Sequence, residues 1–319
     1  MKINIGIVGY GNLGKSCEKS VLSNARFNLV AIFSRRNVTS KFNTIIEPYE
    51  NFINYVSKID VMLLCGGSKS DLEIQTPDIL SLFDCINTFD THSKILSEYN
   101  RLNVLAKNSN HRLIMSCGWD PGIFSITRAL FEAISYEKPV TFWGKGISLG
   151  HSDAIRRVNG VIDGVQFTVP SKVAMTMANH GKSVDNKELH SRECYVVAKE
   201  NNQKQVEEDI KKIKNYFLGQ KTTVHFVSSE TLLKLKQKLN HKGEVLSVFK
   251  TIHGSKCKMH LTISMESNPD FTACIMMTYI NAILNLKDKN VSGAFTCLDI
   301  PVSELFYGKS KEYIIKRFC

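Results

Sequence analysis

A chain of 319 residues is long enough for two domains, or for one domain with a large insertion. Its 43% hydrophobic and 22% charged residues are ordinary for a soluble globular protein, and no run approaches the ~18 uninterrupted apolar residues of a membrane helix. The formal charge of +11 suits a protein that draws in anions, but no nucleic-acid-binding module accompanies it, so neither a nucleic acid nor a membrane is an expected partner.

The first expected strand runs from Lys2 to Val8 and enters Gly9-Tyr10-Gly11-Asn12-Leu13-Gly14, after which a helix is expected over 15–24. Strand, G-x-G-x-x-G turn and helix in that order form a dinucleotide fingerprint. Gly9 makes the tight turn, Gly11 lets the backbone approach a pyrophosphate, and Gly14 lets helix and strand pack closely. The pyrophosphate then lies on the positive end of the helix, beside Asn12 and Leu13. A second strand, 28–33, leads into Ser34-Arg35-Arg36. Enzymes that use NAD place an acid roughly 20 residues past the glycines for the ribose 2′-hydroxyl. A hydroxyl and two guanidinium groups suit a 2′-phosphate instead. The expected cofactor is NADP.

Residues 61–65, 85–89 and 113–117 are short, continuously apolar runs, the pattern of parallel strands buried on both faces. Ligands of such sheets bind beyond the carboxyl ends of the strands. The tails there are Cys65-Gly66-Gly67-Ser68, expected beside the cofactor, then Phe89-Asp90-Thr91-His92, then Gly118-Trp119-Asp120-Pro121-Gly122. The densest basic stretch, 232–242, reads as an exposed helix or loop.

From about residue 139 the pattern becomes antiparallel. Cys257, Met259, Leu261, Ile263 and Met265 alternate with polar residues, as on a strand with one covered face. Val206, Ile210, Ile213 and Phe217 make a helical stripe for a core or an interface. A sheet with one helical layer leaves an open face, which a second copy would cover. Residues 272–287 read as a mostly buried helix, and the segment with Gly293-Ala-Phe-Thr returns to the first domain. The expected fold class is α/β, a Rossmann-type dinucleotide-binding domain with a second α+β substrate-binding and dimerisation domain on a mostly antiparallel sheet. The expected division is 1–118, 119–268 and a returning 269–319. The nine cysteines show no C-x-x-C and no metal spacing. With a strand beginning almost at residue 1, leaving no room for a signal peptide, they point to reduced thiols in the cytoplasm.

The motifs Gly9–Gly14, Ile32-Phe-Ser-Arg-Arg36, Gly118-Trp-Asp-Pro-Gly122, Phe142-Trp-Gly144, Gly150-His-Ser-Asp-Ala154 with Arg156-Arg157, Asn268-Pro-Asp-Phe-Thr272 and Ser292-Gly-Ala-Phe-Thr296 follow one another along the whole chain. Together they resemble the meso-diaminopimelate D-dehydrogenases, NADP-dependent enzymes of lysine biosynthesis. The resemblance implies reversible oxidative deamination at the D-centre of meso-2,6-diaminopimelate, giving L-2-amino-6-oxopimelate and ammonia, in a homodimer. It places Trp119 and Trp143 near the reacting centre, and Thr168, Arg192, His241 and Asn268 around the distal L-centre. Asp90 and Asp120, at adjacent strand ends, are the natural partners of an amine that must lose its proton before hydride leaves. Asp120 counts among the substrate contacts as well. His151 and Asp153 take no assigned role beyond organising a loop over the substrate. Cys65 and Cys117 are not expected to be nucleophiles, since apolar strands keep a thiol protonated. The alternatives are a dehydrogenase of another D-amino acid on the same plan and, less in keeping with the aspartates and tryptophans, a non-catalytic NADP sensor.

Overall fold

The computed structural model describes residues 2–319 apart from Lys69, Asn215 and Leu239, and leaves the side chain of Leu149 undescribed. The strands of the first half are β1 (Ile3–Val8), β2 (Phe27–Ser34), β3 (Ile46–Pro48), β4 (Val61–Leu64), β5 (Asp84–Asn87), β6 (Arg112–Met115) and β7 (Val140–Trp143). Those of the second half are β8 (Gly146–Ile147), β9 (Val161–Pro170), β10 (His190–Ala198), β11 (Lys221–Phe226), β12 (His241–Lys250), β13 (Lys256–Met265) and β14 (Gly293–Thr296). The helices are α1 (Asn12–Leu22), α2 (Leu72–Leu80), α3 (Ile95–Asn108), α4 (Ile123–Ser135) and α5 (Leu149–Arg156). After them come α6 (Lys172–Asn179), α7 (Gln203–Lys212), α8 (Ser229–Lys236), α9 (Asn268–Asp288) and α10 (Lys311–Phe318).

The chain divides into two compact units, one of Met1–Ile126 with Pro269–Cys319, the other of Thr127–Asn268. The boundary therefore falls inside α4, past Trp119 and Asp120. The turn that carries them is tied back on itself, Gly118 N donating to Pro121 O (2.9 Å) and Phe124 N to Trp119 O (2.8 Å).

In the first unit seven parallel strands lie in the order β14-β6-β5-β4-β1-β2-β3. Strand order reverses at β1 and β4, which opens a crevice at their carboxyl ends. The Gly-rich turn sits there: Gly9 N bonds to Phe33 O at 2.9 Å and Cys65 N to Val8 O at 2.7 Å. Helix α1 packs Cys17 and Val21 into the core beneath it. Strands β4, β5 and β6 are each shorter than their apolar runs, because the chain turns at once; Ser116 already has φ of +55°. The returning strand β14 is locked to β6 by Arg112, whose Nε donates to Val291 O (2.8 Å) while Nη1 pairs with buried Asp84 (3.3 Å).

The second unit holds two sheets rather than one, β11-β10-β9-β8 and β13-β12-β7. All neighbours are antiparallel except β10 and β11. Val206, Ile210 and Phe217 are core: with Ala154 and Ile155 of α5 they cover Cys194 and Val196 of β10. The basic stretch 232–242 divides into the end of α8 and the start of β12, where His241 is buried rather than exposed. Among the described residues no helix is long and apolar enough to cross a membrane.

Candidate functional site

The first unit presents a cradle for a dinucleotide. Gly9 has φ of +91°, which a side chain would resist. Gly11 is the cap of α1, and a Cβ added there meets nothing within 4 Å, so the space before the helix's positive end is open. Gly14 is the opposite case: a Cβ would come within 2.1 Å of Gly9 O. At the end of β2, Ser34 Oγ donates to Arg36 O (3.0 Å) and accepts from Arg36 N (3.1 Å), closing a turn that leaves both arginines exposed. Arg35 pairs with Asp71, which also accepts from Gly67 N (3.0 Å). Burial works against the Asp71 charge, but Gly67 N–H and Arg35 outweigh it and hold the carboxyl below its usual range. These residues fit a phosphorylated dinucleotide. Cys65 differs from its neighbours Gly66 to Ser68: its thiol lies 3.6 Å from Cys17 Sγ, and that contact together with burial pushes it up.

The tails of β5 and β6 carry the two aspartates. Asp90 is exposed, and its amide donates to Ser68 Oγ at 3.0 Å, joining the loops after β4 and β5. Trp119 is buried, edge-on to Phe124 with centroids 5.2 Å apart, and half-buried Asp120 follows it. Asn87, which the sequence reading passed over, holds the two tails together. Its Oδ1 accepts from Phe89 N (3.1 Å) and Ser116 N (3.2 Å), and Nδ2 donates to Thr76 Oγ1 (3.2 Å). A polar residue inside an apolar strand was the available signal.

The second unit gathers Trp143, Thr168, Arg192 and His241. Thr168 and Arg192 face each other across β9 and β10, and Arg192 Nη1 donates to Thr168 Oγ1 (3.1 Å). Trp143 ends β7; a Cβ on Gly144 would lie 2.0 Å from Thr168 O, and one on Gly146 would lie 2.2 Å from the His241 ring. Those two glycines allow the close approach. His190, also missed, accepts from Trp143 N at its Nε2 (2.8 Å) and lies 5.1 Å from the Trp143 ring. It stands two residues before Arg192 on β10, so strand alternation could have found it.

Arg192 is the electrostatic key to this cluster. Its Nε is buried without an acceptor, and among the described residues no carboxylate pairs with the guanidinium. Burial, with Arg192 nearby, pushes His151 and His190 down to about 3, and burial lowers His241. The three imidazoles are neutral, and His241 spends its Nδ1–H on Lys242 O (2.9 Å), so the cluster meets an anion through the partly desolvated Arg192 cation. His151 and Asp153 belong to helix α5, not to a loop. His151 lies 2.8 Å from Ser148 Oγ and edge-on to Tyr216 and Phe217, while Asp153 pairs with Arg157 at 2.9 Å. Helix packing on β9, invisible in a local motif, sets this. Asn268 is half-buried and opens α9.

A Gly-rich turn at the switch point of a parallel sheet, an arginine pair after β2 and acids beyond β5 and β6 define a dinucleotide-dependent oxidoreductase. Residues 118–267 match the family described as Diaminopimelic acid dehydrogenase C-terminal domain. The chain is 41% identical to the meso-diaminopimelate D-dehydrogenase of Ureibacillus thermosphaericus, over 99% of this chain and 98% of that one. It superposes on the C. glutamicum DAP dehydrogenase in complex with DAP with a TM-score of 0.94 at 34% identity, covering 100% of this chain and 99% of the other. An engineered D-amino acid dehydrogenase bound to NADP+ gives 0.92 at 33% identity, with both chains covered to 100%. The chain belongs to the meso-diaminopimelate D-dehydrogenase family.

Proposed function

We propose that this chain catalyses the NADP-dependent, reversible oxidative deamination of the D-centre of meso-2,6-diaminopimelate to L-2-amino-6-oxopimelate and ammonia. Besides family membership, the observation that carries this reading is Arg192, a half-buried guanidinium with a buried Nε, bonded to Thr168 Oγ1 and without a carboxylate partner among the described residues. A cation kept in that state is costly to the free protein, and a dicarboxylate substrate relieves it. Thr168, Arg192, His241 and Asn268 bind the L-centre. They reject amino acids that lack a second carboxylate, because a site built for polar groups loses them unpaired.

NADP, when bound on Gly9–Gly14 with its 2′-phosphate on Ser34, Arg35 and Arg36, supplies the nicotinamide that accepts hydride. The loop Cys65–Ser68 flanks it through backbone and the Ser68 hydroxyl. Asp90 and Asp120 anchor the D-ammonium and take its proton, leaving a neutral amine whose α-carbon can give up hydride; water then adds to the resulting imine and releases the ketone and ammonia. Trp119 and Trp143 give the reacting carbon an apolar surrounding. Run in reverse, the same acids return a proton to the nascent amine.

The working form in this reading is a cytoplasmic homodimer. Strand β13 bonds to β12 alone among the described strands, and its Cys257, Met259, Leu261 and Ile263 are half-buried, a face and edge a second copy would complete. All nine cysteines are free thiols. The experiment is direct: reduction of NADP on mixing with meso-diaminopimelate, set beside the L,L isomer, supports the reading, and equal inertness of both isomers contradicts it.

A further inference from the structure

Glu18, on α1, is fully buried and has no cationic partner among the described residues. Its carboxylate takes two hydroxyl groups instead, Tyr10 Oη at 2.5 Å on Oε2 and Ser40 Oγ at 2.5 Å on Oε1. A buried carboxylate without such bonds is strongly disfavoured, so the pair of donors defines how the segment packs. Burial and the bond to Glu18 push the Tyr10 phenol up, which keeps its proton on the donating oxygen.

The two donors come from the two segments that hold the cofactor's phosphates. Tyr10 stands between Gly9 and Gly11 in the pyrophosphate turn. Ser40 lies in the loop that follows the arginine pair, where its Oγ also accepts from Phe42 N (2.9 Å) and Thr44 N (3.4 Å). Arg36 Nη2 reaches back toward Tyr10 O at 3.5 Å. The loop carrying Arg35 and Arg36 is thus fastened at one end by Ser34 and at the other by Ser40 on Glu18.

We propose that Glu18 is a positioning residue for cofactor choice: through Ser40 it holds the Arg35–Arg36 loop against the Gly-rich turn, so that both guanidinium groups stand ready for an adenosine 2′-phosphate. The inference rests on the NADP reading above and adds a residue that touches neither cofactor nor substrate. A loop ordered in advance loses less freedom on binding, and that advantage is felt by a ligand with the 2′-phosphate and not by one without it.

Ser40→Ala removes one donor and leaves the glycines, both arginines and Tyr10 in place. The test is calorimetric titration of the cofactor-free protein with NADP, NAD and adenosine 2′,5′-bisphosphate, with amide exchange followed over 35–44. The Kd for NADP and for the bisphosphate is expected to rise about tenfold, the loss of one hydrogen bond to a charged group. The Kd for NAD stays as it was, the loop amides exchange faster, and Ser40→Thr, which keeps the hydroxyl, restores the wild-type preference. An NADP-to-NAD ratio unchanged by Ser40→Ala overturns the proposal. So does an equal weakening of both cofactors, which would mean a general loosening of the fold. A wild-type protein that binds NAD as tightly as NADP contradicts the cofactor reading itself, and with it this inference, before any variant is made.

Discussion

Replacing Arg192 with Met should weaken catalysis strongly while barely changing the stability of the free protein. The guanidinium has one bond to Thr168 Oγ1 at 3.1 Å, a buried Nε without an acceptor and, among the described residues, no carboxylate partner. Burial lowers its affinity for its own proton, which is the same desolvation seen from another side. A buried polar atom without a partner costs about 1–3 kcal/mol, and the charge-assisted bond to Thr168 returns about 1.5–3 kcal/mol. The two nearly cancel; Met keeps the apolar stem, so Arg192→Met should leave the stability of the free protein within about 1 kcal/mol of wild type, or roughly 2–4 °C in Tm. Toward substrate the loss is large. Two charge-assisted bonds to a carboxylate are worth about 1.5–3 kcal/mol each, so kcat/KM for meso-diaminopimelate should fall at least about a hundredfold. D-Alanine, which has no second carboxylate, should react as slowly as before. Thermal unfolding without ligand and steady-state kinetics with both amino acids make the assay. A variant whose Tm falls by more than about 4 °C, or whose kcat/KM for the diacid stays within about threefold of wild type, would refute the reasoning.

Two further outcomes follow from burial and from backbone packing. His151 and His190 are held at about 3, against an unfolded value of 6.5, so the unfolded chain binds more protons than the native one between those values. Their contribution to stability is complete above the unfolded value and drains away as pH falls toward the native one, by up to about 1.4 kcal/mol per pH unit for each ring. Urea unfolding at about pH 6 and about pH 5 should show this slope, and His151→Gln should remove one ring's share. An unchanged slope would mean that His151 titrates alike in both states. Gly14→Ala would push a Cβ to 2.1 Å from Gly9 O, a backbone atom that cannot yield without opening the turn. Calorimetry should find NADP binding weakened at least about a hundredfold, with stability lower by about 1–3 kcal/mol. NADP affinity close to wild type would show that the turn tolerates the change.

What could be read from residues alone was what local geometry determines. The Gly9–Gly14 turn, the arginine pair and the apolar strands each express their structure within a few neighbours, and all appear near where their patterns place them, with β4, β5 and β6 stopping short of their apolar runs. The stripe at Val206, Ile210 and Phe217 was open between core and interface, and only packing on β10 decided for core. What escaped depends on register between distant strands. His190 meets Trp143 across 47 positions, and Asn87 binds Ser116 across 29. Glu18 and Ser40, 22 positions apart, carry no motif at all. His151 was expected to help organise a loop over the substrate, yet α5 forms there and packs its ring against Tyr216 and Phe217.

Absorbance at the nicotinamide band tests the central claim most directly, with purified protein, NADP and meso-diaminopimelate beside NAD, the L,L isomer and D-alanine. The account predicts fast reduction of NADP by the meso compound alone, with ammonia released in equal amount. Reduction by D-alanine at a comparable rate would leave the hydride chemistry standing and contradict the role given to Thr168 and Arg192. No reduction by any amine, despite tight NADP binding, would contradict the account as a whole.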